Sequence, residues 1–331
     1  MLVTPVLSVI IPNRNGAATI DQCLTAVFAS GHHDFEVIVV DDCSTDDSVA
    51  RIQRHPCRLV RLQQHGGAAR ARNAGAEQSR GEILFFLDAD CLPTTDTLRL
   101  AEEQARQHGP LTIIGGTYTP VPADPVFFST FQSVYINYCE TKHLGDPDYI
   151  ATHALVIHAE TFRKSGGLPE KFLPILEDVE FSHRLRRQGF KLLMSPAILV
   201  RHLFNFTLRR SLANARRKSQ YWLCYSLHNH DLLTDSGTAS LELKGNIVAF
   251  VISSGLLLAG ALTRTPALLP LVLLVQTING LGQRRLLAAF HRAGGPFFTL
   301  GAALYYATLY PAAVVVGGLA GLKTFLQQRW P

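Results

Sequence analysis

Leu7–Pro12 (LSVIIP), Phe35–Val40 (FEVIVV), Cys57–Leu62 (CRLVRL) and Glu82–Leu87 (EILFFL) are short apolar runs, and their order constrains the fold more than any other feature. Runs of this length and β-branched content read as strands, and uninterrupted apolar ones read as strands covered on both faces. Between them lie segments with helical spacing. Ile20, Leu24 and Phe28 recur four apart in ATIDQCLTAVFAS, and the Ala-rich GGAARARNAGAEQSRG is entered through Gly66 and Gly67. Such alternation predicts an α/β domain, a parallel sheet with helices on both faces. Ser44 or Thr45 is placed to cap the helix after the second strand, with Asp46 and Asp47 in its first turn. MLVTPVLSVIIPNRNG has no basic leader before its apolar run, so it reads as a first strand stopped by Pro12 and Asn13, not a signal peptide.

In open α/β sheets, ligands sit outside the carboxyl ends of the strands. Polar signatures follow three of the runs: NRNG after the first, DDCSTD after the second, DADC after the fourth. Within DADC, Asp88 and Asp90 are two residues apart, so an extended backbone points both the same way. Neighbouring carboxylates repel unless a cation lies between or near them. Oxygen ligands suit Mg²⁺ or Mn²⁺, which commonly bridge carboxylates to substrate phosphates. By itself the pair also suits a polar turn that ends a strand; its place beside two other polar strand ends favours a metal.

The cysteines, Cys23, Cys43, Cys57, Cys91, Cys139 and Cys224, are scattered without a CxxC pair. That excludes a zinc-ribbon spacing and favours reduced thiols in a cytosolic domain over a disulfide framework.

After Lys244 the composition shifts. The whole chain is 331 residues, 47% hydrophobic, with a net charge of +5, but its final third is almost uncharged over three stretches. These predict a transmembrane region over residues 245–331, with spans at 245–263, 265–283 and 296–322. Pro311 offers an alternative, a break that makes the last stretch a re-entrant pair. Gln283–Arg292 (QRRLLAAFHR) is basic and amphipathic, and the positive-inside rule places it and the N-terminal domain in the cytoplasm. The expected setting is a multi-pass membrane protein, in a bacterial inner membrane. Residues 206–244 interleave Arg209, Arg210, Arg216, Arg217 and Lys218 with Tyr221, Trp222 and Tyr225. Beside membrane spans, that mixture points to an anionic bilayer surface and not to nucleic acid. The same cations could serve a phosphorylated lipid acceptor or a leaving diphosphate.

LSVIIPNRNG, FEVIVVDDCSTDDS, GGAARARNAGAEQSRGEILFFLDADCLP and GGLPEKFLPILEDVEFSHRLRRQGFKL together resemble a family 2 glycosyltransferase of the GT-A fold, in the membrane-anchored bacterial-type branch. The resemblance covers roughly residues 5–205. It implies a Rossmann-like mixed sheet, with a GT-A catalytic domain over residues 1–205. It also implies a nucleotide-diphosphate sugar donor. Pro12, Asn13 and Asn15 would line the nucleotide pocket, Asp41 would sit by base and ribose with Asp42 nearby, and Arg72 would contact the nucleotide or its diphosphate. Asp88 and Asp90 would hold the metal on the diphosphate, Asp90 as the firmer ligand, with Asp88 acting mainly through the ribose or a water as the alternative. His202, after the AILV run, could complete the metal site or contact the diphosphate. In ILEDVEFSHRLRRQGF, Asp178 would be the general base for the acceptor hydroxyl, with Glu177 and Glu180 supporting it or touching the acceptor. Acids are also favoured at a helix start on electrostatic grounds alone. Gly166–Gly167 matches a turn that shapes the sugar pocket.

The resemblance therefore implies an inverting, hexosyltransferase-type enzyme acting on a lipid-linked or cell-envelope glycan acceptor. Polyprenyl-phosphate glycosyl transfer and a catalytically silent nucleotide-sugar-binding scaffold are the alternatives. A nucleotidyltransferase would usually add a phosphate-binding Gly/Lys loop, and none is evident. Two departures bear on the substrate. ATHALVIHAE (Ala151–Glu160) replaces the family's Gly- and Asn-rich acceptor stretch. SQYW and the terminal QQRW only echo the QxxRW motif of processive synthases, the latter with Leu326 where the Gln is needed.

Overall fold

β1 (Leu7–Asn13) is buried along its length except at Pro12, because branched residues face both layers. This computed structural model describes residues 5–171 and 173–327. α1 (Ile20–Phe28) buries Ile20, Leu24 and Val27, close to the face its spacing predicted. β2 (Phe35–Asp41) runs parallel to β1 and sets Asn13 beside Asp41. α2 spans Ser48–Ile52 and β3 Arg58–Arg61. The helix after β2 starts later than expected, with Asp47 at its N-cap. Ser44 is not its cap: the hydroxyl serves Asn13 and Asn15 instead, because the loop folds back onto the end of β1.

α3 (Gly67–Gln78) lies on β1 and β2 at close range. A β-carbon at Gly75 would meet Ile10 Cγ2 at 2.5 Å and Val40 Cγ2 at 3.2 Å, so only glycine permits this approach. β4 (Ile83–Leu87) completes the parallel half on the other side of β1.

The sheet then becomes mixed. β5 (Cys91–Pro93), α4 (Thr97–His108) and β6 (Thr112–Tyr118) follow. After α5 (Phe127–Glu140) come β7 (Ala154–His158), α6 (Ala159–Lys164), α7 (Glu177–Arg187) and β8 (Lys191–His202). The strand order is β3-β2-β1-β4-β7-β6-β8-β5. β7 is antiparallel to β4 and β6, β8 parallel to β6, and β5 antiparallel to β8. The parallel expectation thus holds through β4, and the mixed sheet implied by the resemblance takes over beyond it. Ile10, Leu84, Phe86, Phe162, Phe181 and Leu185 share one core cluster. Phe181 and Leu185, four apart on α7, are both fully buried and hold that helix against the sheet.

The chain forms two compact units, Met1–Pro125 with Glu140–Asn205, and Val126–Cys139 with Phe206–Pro331. The second unit is helical. It contains most of α5, then α8 (Leu208–Asn229), α9 (Leu241–Thr263), a 3₁₀ turn (Pro266–Leu268), α10 (Leu269–Gly282), α11 (Arg284–Ala307) and α12 (Leu309–Gln327). Its core is aromatic, with Phe131, Tyr135, Phe290, Tyr305, Tyr306 and Tyr310 packed together. α12 meets α8 through small residues. A β-carbon at Gly317 would lie 2.2 Å from the Arg216 carbonyl oxygen, and one at Gly321 would lie 2.3 Å from that of Gln220. Small residues four apart let two helix backbones approach in this way.

Among the described residues, two helical stretches are long and apolar enough to cross a membrane, Leu241–Thr263 and Arg284–Gln327, the second interrupted at Gly295 and Thr308. α10 has 14 residues, about 21 Å of helix against a hydrocarbon core of about 30 Å. The stretch 296–322 is divided between α11 and α12 at Thr308. Pro311 falls in the first turn of α12, where a missing N–H is tolerated. The QQRW echo runs into residues 328–330, outside the described residues.

Candidate active site

Strand direction brings the polar signatures to one edge of the sheet. β1, β2 and β4 are parallel and end at Asn13, Asp41 and Leu87, with Asp88 next. β6 and β8 run the same way and end at Tyr118 and His202. β7 and β5 run oppositely, so their starts, after His153 and at Cys91, reach the same edge.

At the β1–β2 end, Asn13 Nδ2 donates to Asp41 Oδ1 at 3.0 Å and to Ser44 Oγ at 3.2 Å. Asn13 and Asp41 are both buried, and Asn13 Oδ1 lacks a hydrogen-bond partner among the described residues. Asn15 adopts a left-handed backbone (φ 50°) and accepts from the Thr45 amide through Oδ1 at 2.8 Å. Pro12 lies one residue before this cluster on β1. Asp42 turns elsewhere. Its oxygens accept from the Gly66 and Gly67 amides, both at 2.8 Å, and pair with His65 Nδ1 at 2.7 Å. Asp42 therefore anchors the start of α3, where the amides and the helix dipole favour an acid.

The buried Arg72 is the centre of a partly exposed ionic triad. Nη2 donates to Asp88 Oδ1 at 2.6 Å and Nη1 to Glu177 Oε1 at 2.9 Å. Burial raises the Asp88 carboxyl, but the guanidinium outweighs it and holds the group below the ordinary carboxylate range. In this arrangement Arg72 orients acids, a job the sequence reading did not foresee for it. Glu177 and Asp178 open α7, as expected, after Leu176 in a left-handed conformation. Glu180 instead pairs with Arg184 at 3.3 Å. Arg184 in turn donates to the Ser165 and Gly167 carbonyls and so braces the Gly166–Gly167 turn, whose φ values of 82° and 72° suit glycine. Asn73, next to Arg72, holds that turn from α3 by accepting from the Leu168 amide and donating to its carbonyl, both at 2.9 Å.

Asp90 faces His202 at 3.5 Å, Oδ1 to Nε2. The Asp90 side chain keeps 41% of its accessibility, so it lies in an open recess. Its carboxyl is still pushed up to about 7 by the surrounding protein first and the Asp88 charge second. His202 is fixed by its rings: it stacks on Phe204 at 3.8 Å and meets the Tyr118 edge at 5.0 Å. Asp90, Cys91 and His202 bring one ligand atom each within 4.8 Å of one another. A carboxylate and an imidazole so placed fit a divalent cation, Mn²⁺ better than Mg²⁺ because nitrogen is a poor magnesium ligand.

The sequence reading missed a further pair. His153 lies 3.6 Å from Glu140, both almost fully buried, and its ring stacks on Tyr118 at 4.1 Å. Burial lowers the imidazole pKa, but Glu140, then Asp88 and Asp178, reverse this and raise it above the usual histidine value. The only signal was that His153 sits in ATHALVIHAE, the stretch that departs from the family pattern. Cys91 was legible only as a scattered thiol, because its neighbour His202 lies far away in sequence.

Residues 8–165 match the family model described as Glycosyl transferase family 2. An uncharacterized glycosyltransferase of Haemophilus influenzae is 30% identical over 194 residues, 55% of this chain and 62% of that one. The poly(ribitol-phosphate) beta-N-acetylglucosaminyltransferase TarS of Staphylococcus aureus is 32% identical over 108 residues, 30% of this chain and 19% of that one. The chain thus spans less than two thirds of these relatives' lengths. Among solved structures, the mannosyltransferase PcManGT of Pyrobaculum calidifontis, in complex with GDP-Man and Mn²⁺, aligns with a TM-score of 0.59 at 18% identity, covering 99% of this chain and 89% of that one. That likeness speaks to the fold. With the matched segment and the mixed sheet in agreement, residues 8–165 of this chain belong to glycosyl transferase family 2, on the GT-A fold.

Proposed function

We propose that this chain is a metal-dependent, inverting glycosyltransferase. It moves a sugar from a nucleotide-diphosphate sugar to a lipid-linked or cell-envelope glycan acceptor at a membrane, with the sheet domain on the cytoplasmic side. One observation carries the reading: Asp41, Asp88, Asp90 and His202 converge on one edge of a family 2 sheet, and Arg72 ties α7, which Glu177 and Asp178 open, to that edge through Glu177. PcManGT is described in complex with GDP-Man, a nucleotide-diphosphate sugar, and Mn²⁺, TarS by its name transfers a sugar to poly(ribitol-phosphate), and two helices long and apolar enough to span support the membrane setting.

Asn13, Asn15 and Asp41 hold the nucleoside, with Pro12 beside them. Asp42 acts on this pocket through the loop it anchors. Asp90 and His202, with Asp88, hold the divalent ion, which supplies positive charge to the leaving diphosphate. Asp178 accepts the proton of the acceptor hydroxyl. The acceptor oxygen bonds to the anomeric carbon from the far face as the bond to the diphosphate breaks, so configuration inverts. Arg72 keeps Asp88 and Glu177 in place throughout. Glu180 shapes the sugar pocket through Arg184.

The test is product formation. Detergent-purified full-length chain is incubated with a panel of nucleotide sugars and membrane lipid extract, and products are identified by mass spectrometry. Transfer that Asp178→Asn abolishes without loss of folding supports the reading. Neither transfer nor donor hydrolysis with any donor would leave the silent-scaffold alternative. Full transfer by Asp178→Asn onto a lipid phosphate would favour an acceptor oxyanion that needs no base.

A further inference from the structure

Cys91 opens β5 and stands directly opposite His202 in the antiparallel β5–β8 ladder. Directly opposite residues project to the same face, with β-carbons about 4.5–5.5 Å apart. Asp90, one residue earlier, reaches both: its Oδ1 lies 3.9 Å from Cys91 Sγ and 3.5 Å from His202 Nε2. Two atoms bound to one tetrahedral ion lie about 3.3–3.8 Å apart, given bond lengths of about 2.0–2.3 Å. The two separations from Asp90 are close to that spacing, and all three ligand atoms lie within 4.8 Å of one another. Leu203 anchors the arrangement by donating its amide to the Asp90 carbonyl at 2.8 Å. Cys91 is fully buried, with its sulfur against the Asp90 carboxylate.

We propose that Cys91 is a thiolate ligand of the divalent-metal site, which makes it a mixed oxygen, nitrogen and sulfur site selective for thiophilic ions such as Zn²⁺ and Co²⁺ over Mn²⁺. This rests on the reading of Asp90 and His202 as metal ligands and adds a donor to it. On binding, the S–H bond breaks, a sulfur–metal bond forms and the proton leaves to solvent. Soft thiolate ligands favour Zn²⁺, whereas carboxylate-only sites favour Mg²⁺ and Mn²⁺. The consequence is that Zn²⁺ competes with Mn²⁺ at the same three residues.

Co²⁺ reports the bond without any turnover. Purified full-length protein titrated with Co²⁺ should develop the near-ultraviolet thiolate-to-cobalt charge-transfer band. Cys91→Ser should lack it, and Cys23→Ser, which changes the buried thiol against the Asp88 carbonyl at 3.6 Å, should keep it. Mn²⁺ binding, followed by electron paramagnetic resonance, should survive in Cys91→Ser, while affinity for Zn²⁺ falls by about tenfold or more. A wild-type protein that binds Co²⁺ without the band, or a Cys91→Ser variant that retains it, overturns the proposal while leaving Asp90 and His202 as ligands. Mn²⁺ binding that Asp90→Ala does not weaken overturns the parent reading and this one with it. If Cys91→Ser fails to fold, Cys91→Ala is read in the same way, and a wild-type protein that binds Co²⁺ without the band still overturns the proposal.

Discussion

Arg72 holds Asp88 at 2.6 Å from inside the protein, its own side chain only 5% exposed. The same guanidinium holds Glu177, so one buried cation fixes the end of β4 and the start of α7 together. Removing one partner of a buried ion pair is far costlier than its surface equivalent. Arg72→Ala should therefore lower stability by about 3 kcal/mol, the lower end for buried pairs because Asp88 retains some solvent access. Arg72→Lys should recover only part of this, since a single ammonium lacks the planar fork. Urea unfolding of the three proteins checks both.

Asp42 satisfies two amides at the entry to α3. Asp42→Ala should cost about 0.5–2 kcal/mol, the usual range for a lost helix cap. Donor affinity should fall with it, because α3 carries Arg72, while Asp42→Asn keeps an acceptor oxygen and should retain more of both. Isothermal titration with a nucleotide diphosphate follows the affinity.

Gly321 permits α12 to touch the α8 backbone. Gly321→Leu should destabilise the helical unit by about 1–3 kcal/mol or more through overpacking. Gly318→Ala is the control, since a β-carbon there would meet only Leu223 Cδ2 at 3.7 Å. Thermal unfolding in detergent should separate the two.

Glu36 accepts from Ser8 Oγ at 2.7 Å, the Arg80 amide at 2.6 Å and Arg80 Nε at 3.0 Å. Burial works against its charge, but these donors prevail and its pKa is lowered. A depressed carboxyl stabilises the fold fully above its unfolded value of about 4.3, and the contribution disappears as pH falls through the lower folded value. The stability gap between wild type and Glu36→Gln, measured by urea midpoints, should be constant at neutral pH and close below pH of about 4.

β1, β2 and β4 were legible because burial on both faces leaves uninterrupted apolar runs, and the carboxyl-edge rule then located Asn13, Asp41 and Asp88. What stayed hidden depends on contacts distant in sequence. Arg72 reads as a contact to the nucleotide or its diphosphate until Glu177, 105 positions later, is beside it. Cys91 and His202 become neighbours only through the β5–β8 register. α5 joins the helical unit although the sheet domain surrounds it in sequence, and local periodicity carries no record of that. The Ser44 loop misled for a related reason: a capping residue serves whichever amides the tertiary fold brings to it.

The central claim is that the sheet edge binds a nucleotide-diphosphate sugar through an ion held at Asp90. The direct measurement is isothermal titration of the full-length protein with nucleotide sugars, with and without Mn²⁺, in wild type and Asp90→Ala. Binding of a donor that requires Mn²⁺ and is lost in Asp90→Ala is the expected result. Metal-independent binding unchanged by Asp90→Ala, or no binding of any nucleotide sugar, would contradict it.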